Sequence, residues 1–253
     1  MTRSLSILAA GLFLSAAPAL SAERVPLTGD ASYPPYMSEE NGARQGIYVD
    51  IMREADARIA EYDVDIQLLP WKRALGTVED GGAAGIVGAY KRTKERPWIE
   101  RYSIPLLNER VVVLCGKDKV KPNMTYPDDF VGYSFANNSG FETPGPAFFA
   151  LVKAGRITVE ENTSTENNVR KTVLGRVDCH INDEISINKA LSNVGGADKV
   201  GLAAVVQVES AHLAMGRAFA KPWKMDFMDK VDQAIADMTA DGTIQKIVDK
   251  HTK

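Results

Sequence analysis

Runs with the two-residue period of a strand alternate along this chain with runs at the spacing of a helix face. That order restricts it to an α/β architecture with mostly parallel sheets. Ile47, Ile51, Ala55 and Ile59 recur every four residues and predict one apolar helix face, whereas Val64, Ile66 and Leu68 alternate as a half-buried strand does. Pro70 stops that strand. The pattern predicts a helix from Trp71 to Glu79, ended by Gly81 and Gly82, and then a buried strand over Ala84–Val87. Further strands are expected at Val111–Leu114, Val131–Phe135 and Val177–Ile181, with helices near Pro144–Lys153, Glu166–Leu174 and Asp183–Leu191. Phe227, Val231, Ala234, Ile235 and Met238 mark a late helix, and Asp241-Gly242 separates it from a short last one. The stretch Lys117–Asp129, rich in Lys, Pro and Asp, reads as a surface connection, and no internal repeat is evident.

Residues 1–22 have the layout of a secretory signal peptide: Arg3, an apolar run from Leu5 to Leu14, and small residues up to Ala22. The run is too short to span a bilayer, and cleavage near Ser21 or Ala22 is expected to release the remainder into the periplasm. The full chain has an ordinary globular composition, 45% hydrophobic and 25% charged. With 30 basic against 33 acidic residues, charge offers no case for nucleic acid or an anionic membrane surface as partner. Cys115 and Cys179 are the two cysteines. In an exported chain they can form one bridge, or they can be two buried strand residues; the sequence leaves both open.

Chemical motifs are sparse. His180, His212 and His251 sit in no metal-ligand spacing, so no metal is expected. No phosphate-binding glycine loop appears, since Gly81-Gly82 follows a helix, and no cofactor is expected. Ser139 lacks the Gly-x-Ser-x-Gly frame of a nucleophile elbow. These residues offer no catalytic motif, and no enzyme is expected.

Four stretches occur in order: Gly29-Asp30-Ala31-Ser32-Tyr33-Pro34-Pro35-Tyr36, Gly46-Ile47-Tyr48-Val49-Asp50-Ile51, Pro70-Trp71-Lys72-Arg73-Ala74-Leu75 and Arg92-Thr93-Lys94-Glu95-Arg96. Tyr102-Ser103-Ile104-Pro105, Gly175-Arg176-Val177-Asp178, Asn182-Asp183-Glu184 and Ala240-Asp241-Gly242-Thr243 extend the set. Together they resemble the family 3 extracytoplasmic solute-binding proteins that serve ABC importers of polar amino acids. The resemblance implies a type II-like periplasmic binding fold of two α/β lobes joined by two hinge strands. Residues 23–109 and 211–253 would form the first lobe and 110–210 the second. It also implies a monomer that carries a small polar ligand, an amino acid, to an ABC permease in the inner membrane.

The resemblance places the ligand carboxylate on Arg96, whose planar guanidinium suits bidentate geometry, and the ligand ammonium on Asp183. From charge alone Arg96 reads as a surface arginine, and Asp183 also reads as the N-cap of the helix after it. Tyr33 and Trp71 match pocket walls, and Gly88 and Ala89 would offer backbone groups. Three departures concern the ligand's charge. Lys91 stands where the family commonly has a hydroxyl, Arg73 could add a second cation, and Asn137-Asn138-Ser139-Gly140 replaces the usual turn, with Ser139 in the hydroxyl role. If Lys91 and Arg73 face the cleft, an acidic ligand is expected; if they face water, a neutral polar amino acid fits as well. Two other readings remain: a dehydratase-like enzyme on the same scaffold, with Asp183 or Glu184 as general acid, and a sensory binding protein for an organic anion.

Overall fold

A computed structural model describes residues 22–253. The signal-peptide expectation therefore lies, except for its last residue, outside the described residues. The chain begins with β1 (Glu23–Asp30), buried along its final four residues, and a small antiparallel sheet of β2 (Ser32–Tyr33), β3 (Met37–Glu40) and β4 (Ala43–Gln45). Helix α1 (Ile47–Ala57) turns Ile47, Ile51 and Ala55 inward, and Ile59 is buried just beyond its end. Strand β5 (Tyr62–Leu69) meets α2 (Trp71–Glu79) at Pro70, which has no N–H to extend the ladder and whose carbonyl accepts from Arg73 and Ala74 to start the helix. β6 (Gly85–Tyr90) and β7 (Ile99–Tyr102) complete this part.

The long strand β8 (Leu107–Gly116) leads into a second α/β unit: β9 (Ser134–Asn138), α3 (Gly145–Lys153), β10 (Thr158–Asn162), α4 (Thr165–Val173), β11 (Cys179–Asp183) and α5 (Glu184–Val194). The longest strand, β12 (Val200–Gly216), returns the chain, and α6 (Lys224–Ala240) and α7 (Thr243–Thr252) pack on α1. The large sheet runs β10-β9-β11-β8-β12-β6-β1-β5, with β7 beside the end of β12. Its two ends are parallel: β5, β1 and β6 on one side, and β10, β9 and β11 on the other. Antiparallel strands β8 and β12 run between them. Each end has its own core. One gathers Leu27, Ile51, Phe227 and Ile235, the other Val113, Phe135, Phe148 and Ile181.

Strand β12 carries no periodic signal in the sequence. Its pairing with β8 shifts register between Leu202 and Ala204 and again between Val205 and Gln207. Each shift reverses which face a side chain takes, so alternation is lost. The strand expected at Val131–Phe135 begins at Ser134, because Gly132 takes a φ of 87° and interrupts the extended run. Cys115 and Cys179 lie opposite each other in the β8–β11 ladder and are joined by a disulfide. No helix among the described residues is long and apolar enough to cross a membrane.

Candidate ligand-binding cleft

Strand ends from both sides of the sheet converge on one cleft. Asp30 ends β1 and Tyr90 ends β6, and opposite them stand Phe141, Glu142 and Thr143, just beyond β9. With Tyr33, Trp71, Gly88 and Arg96 they line a partly open cavity.

Arg96 is buried at one wall, only 6% exposed. Its Nη2 donates to the carboxylate of Glu142 at 3.1 Å, its guanidinium carbon lies 5.7 Å from the centroid of the Trp71 ring, and its Nη1 has no partner. Burial lowers the arginine's pKa, since desolvation disfavours the cation. A guanidinium keeps its charge in proteins even so. A buried N–H of a charged group left unpaired is costly, so this atom is one a ligand oxygen can satisfy.

Asp183 ends β11 with its carboxyl buried. Oδ1 accepts from the amides of Ile185 and Ser186, capping α5, and from the hydroxyl of Tyr36 at 2.8 Å; Oδ2 has no partner. Burial pushes this carboxyl up to about 6, against the pull of the Tyr36 hydroxyl and the two amides. Of the two roles the sequence suggested for Asp183, the geometry displays the cap, and Asp183 does not line the cavity.

Beneath the cleft lies a group that the sequence did not single out. Glu109, on β8, is fully enclosed and accepts from the hydroxyls of Tyr33 at 2.6 Å, Tyr90 at 2.5 Å and Tyr48. Burial and the nearby Asp183 raise its pKa to about 8, and the three hydroxyls oppose that rise. Each tyrosine is far apart in sequence from the others, so only the fold could reveal the cluster.

The remaining expected residues divide. Tyr33 and Trp71 line the cavity, and their rings meet Phe141 edge to face at 5.3 and 5.7 Å. Gly88 lines it too: the β6–β12 register passes from Ala89 to Val87, leaving Gly88 off the ladder at a φ of 78°. Ala89 is buried behind the wall among Trp71, Ala74 and Val78. Arg73 and Lys91 are exposed and do not line the cavity. Arg73 lies two residues past Trp71, on the opposite face of α2, which is the side that faces water. The condition for an acidic ligand is therefore absent from this geometry. Ser139 also stands outside the cavity, its hydroxyl donating to Glu161. His180 is wholly buried with Nδ1 on the Ala136 carbonyl, and burial lowers its pKa to about 4, which keeps it neutral in the core. Phe141 and Glu142 were missed, although they follow directly on the altered turn at Asn137–Gly140.

The model of the bacterial extracellular solute-binding proteins, family 3, matches residues 27–253. The probable amino-acid-binding protein YxeM of Bacillus subtilis (strain 168) is 23% identical over 224 residues, 86% of this chain and 79% of that protein. Among solved structures, an ancestral arginine-binding protein bound to arginine superposes with a TM-score of 0.76 at 15% identity, over 91% of this chain and 98% of that one. A mutant of ArgBP from T. maritima gives 0.73 at 18% identity, over 90% and 94%. At these identities the structural likeness concerns the fold, that of a two-lobed periplasmic binding protein.

Proposed function

The chain belongs to the bacterial extracellular solute-binding proteins, family 3, and on that premise we propose that it captures a small polar solute, an amino acid, between two lobes and hands it to an ABC importer. The observation that carries this reading is Arg96, which lines the cavity with Nη1 unpaired; Asp183, buried with Oδ2 unpaired, lies outside the present lining and in this reading is reached by the ligand when the cleft opens. A molecule bearing both a carboxylate and an ammonium supplies the missing partners for both.

In this proposal residues 23–109 and 211–253 form one lobe and 110–210 the other, and the chain crosses between them in β8 and β12, near Glu109 and Ala211. Contacts from Tyr36 to Asp183 and from Arg96 to Glu142 span the cleft and belong to a closed arrangement that hinge motion would open. Tyr33 and Trp71 are the walls, and Gly88 contributes backbone. The protein acts as a periplasmic monomer and turns nothing over. Glu184, the other acid considered for catalysis, pairs with Arg110 at 2.6 Å with both side chains partly exposed, which is a poor setting for a general acid that needs a dry site.

Thermal-shift and calorimetric titration against the twenty amino acids and a set of small organic acids tests this reading. Saturable one-to-one binding is expected, with the solute recovered unchanged. If no compound at millimolar concentration moves the melting temperature, the reading fails.

A further inference from the structure

The cleft already holds an occupant, and the occupant comes from the chain itself. The turn Asn138-Ser139-Gly140-Phe141 is closed by a hydrogen bond from the Phe141 amide to the Asn138 carbonyl at 2.9 Å, with Gly140 at a φ of 79° in the third position, where a type II turn requires a positive angle. Asn137 fastens the far side, its Nδ2 donating to the Phe141 carbonyl at 2.9 Å. Gly140 also lets the turn approach α2: a Cβ there would stand 2.6 Å from Lys72 Cγ. The segment is thus braced on its own side and pressed against the opposite one.

What it presents there is a ring and a carboxylate on adjacent residues. The Phe141 ring fills the slot between Tyr33 and Trp71, edge to face with both, an arrangement aromatic quadrupoles favour. The Glu142 carboxylate sits on Arg96, but it reaches Nη2 alone and leaves Nη1 unpaired. The ring already holds the slot and the carboxylate already holds the guanidinium, so a ligand that uses both has to displace this segment. A free carboxylate that takes both Nη1 and Nη2 gains a hydrogen bond that Glu142 does not make.

We propose that Phe141 and Glu142 form a tethered surrogate of the ligand, and that the solute which displaces them is an aromatic carboxylate, its ring entering the slot between Tyr33 and Trp71 and its carboxylate clamping Arg96. The proposal rests on the solute-binding reading above and concerns only the ring and the carboxylate of the solute; L-phenylalanine against 3-phenylpropionate reads whether the ammonium is needed as well. The surrogate acts as an internal competitor. If it fills the cleft about nine-tenths of the time, apparent affinity is about tenfold weaker than intrinsic affinity, because only the vacated fraction can bind.

The test is isothermal titration of the full protein with six probes: L-phenylalanine, L-tryptophan and 3-phenylpropionate, against L-glutamine, L-glutamate and L-arginine. At least one aromatic probe is expected to bind ten times or more tighter than every polar one. Phe141→Ala and Glu142→Gln are each expected to tighten that aromatic probe about tenfold. Glu142→Gln keeps the side-chain volume and serves alone if Phe141→Ala does not fold. Polar probes binding as tightly as the aromatic ones would overturn the ligand class while leaving the solute-binding reading intact. Aromatic binding that either folded variant leaves unchanged or weakens would overturn the surrogate. If none of the six binds, the proposal fails, and the wider screen described above then decides separately whether the protein binds solutes at all.

Discussion

The Tyr36 hydroxyl donates to the same Asp183 oxygen that caps helix α5, at 2.8 Å and across 147 residues of sequence, while the second oxygen of that carboxylate stays unpaired. One atom therefore joins a local helix-start contact to a contact between the two sides of the molecule. Ionisation of this carboxyl bears on stability and closure together.

Burial holds the Asp183 carboxyl at about 6, against its ordinary 3.8. A carboxyl raised on folding binds its proton in the folded chain where the unfolded chain has released it. Its contribution to stability is full below pH 4 and is lost as pH rises through 6. Asp183→Asn keeps an oxygen for the α5 amides and removes the titration. Urea denaturation at stepwise pH should show the difference between variant and wild type moving in favour of the variant by about 2–3 kcal/mol from pH 4 to 7. A constant difference would mean that Asp183 titrates in the fold as it does in water.

Arg96→Gln should weaken binding of the solute found by screening about a hundredfold, since it removes a buried charge-assisted clamp worth roughly 3 kcal/mol. Arg96→Lys should fail to restore it, because an ammonium cannot make two parallel bonds to one carboxylate. Calorimetry on both variants reads this directly, and near-native affinity in Arg96→Lys would argue against a bidentate clamp.

Gly46 precedes α1 at a φ of 121°, and a Cβ there would lie 2.4 Å from the Tyr36 carbonyl oxygen. Gly46→Ala therefore combines backbone strain with a clash against backbone. It should cost about 2–4 kcal/mol of unfolding free energy. A melting temperature equal to wild type would show that the Tyr36 segment yields to the added methyl.

The Cys115–Cys179 disulfide ties residues 64 apart in sequence. Replacing both cysteines with serine should lower stability by about 2–4 kcal/mol, chiefly by freeing the unfolded chain. The affinity of the cleft should hardly change, since both sulfurs are buried in the β8–β11 ladder and neither residue lines the cavity. Chemical denaturation under oxidising and reducing conditions, paired with a titration, separates the two effects.

Much of the architecture was legible because its signals are local. The four-residue spacing from Ile47 to Ile59 marks α1, and Pro70 with Gly81-Gly82 brackets α2, since helix faces and helix stops depend on neighbours a turn away. The ordered stretches from Gly29 to Arg96 carried the family as well, because each is a contiguous motif. Strand β12 escaped because its register shifts remove the alternation a strand otherwise shows.

Sequence alone determined the alternating α/β order, the helix that Asp183 begins, and the presence of Arg96 and Trp71 in a chain of this family. Tertiary structure decided what those residues meet. Glu109 gathers the hydroxyls of Tyr33, Tyr48 and Tyr90, Glu142 sits on Arg96, and Arg73 and Lys91 turn to water. The physical reason is range. Periodicity and capping are set within a few residues of chain, whereas a buried charge is matched by whichever side chain the packing brings within about 3 Å, however far away it lies in sequence.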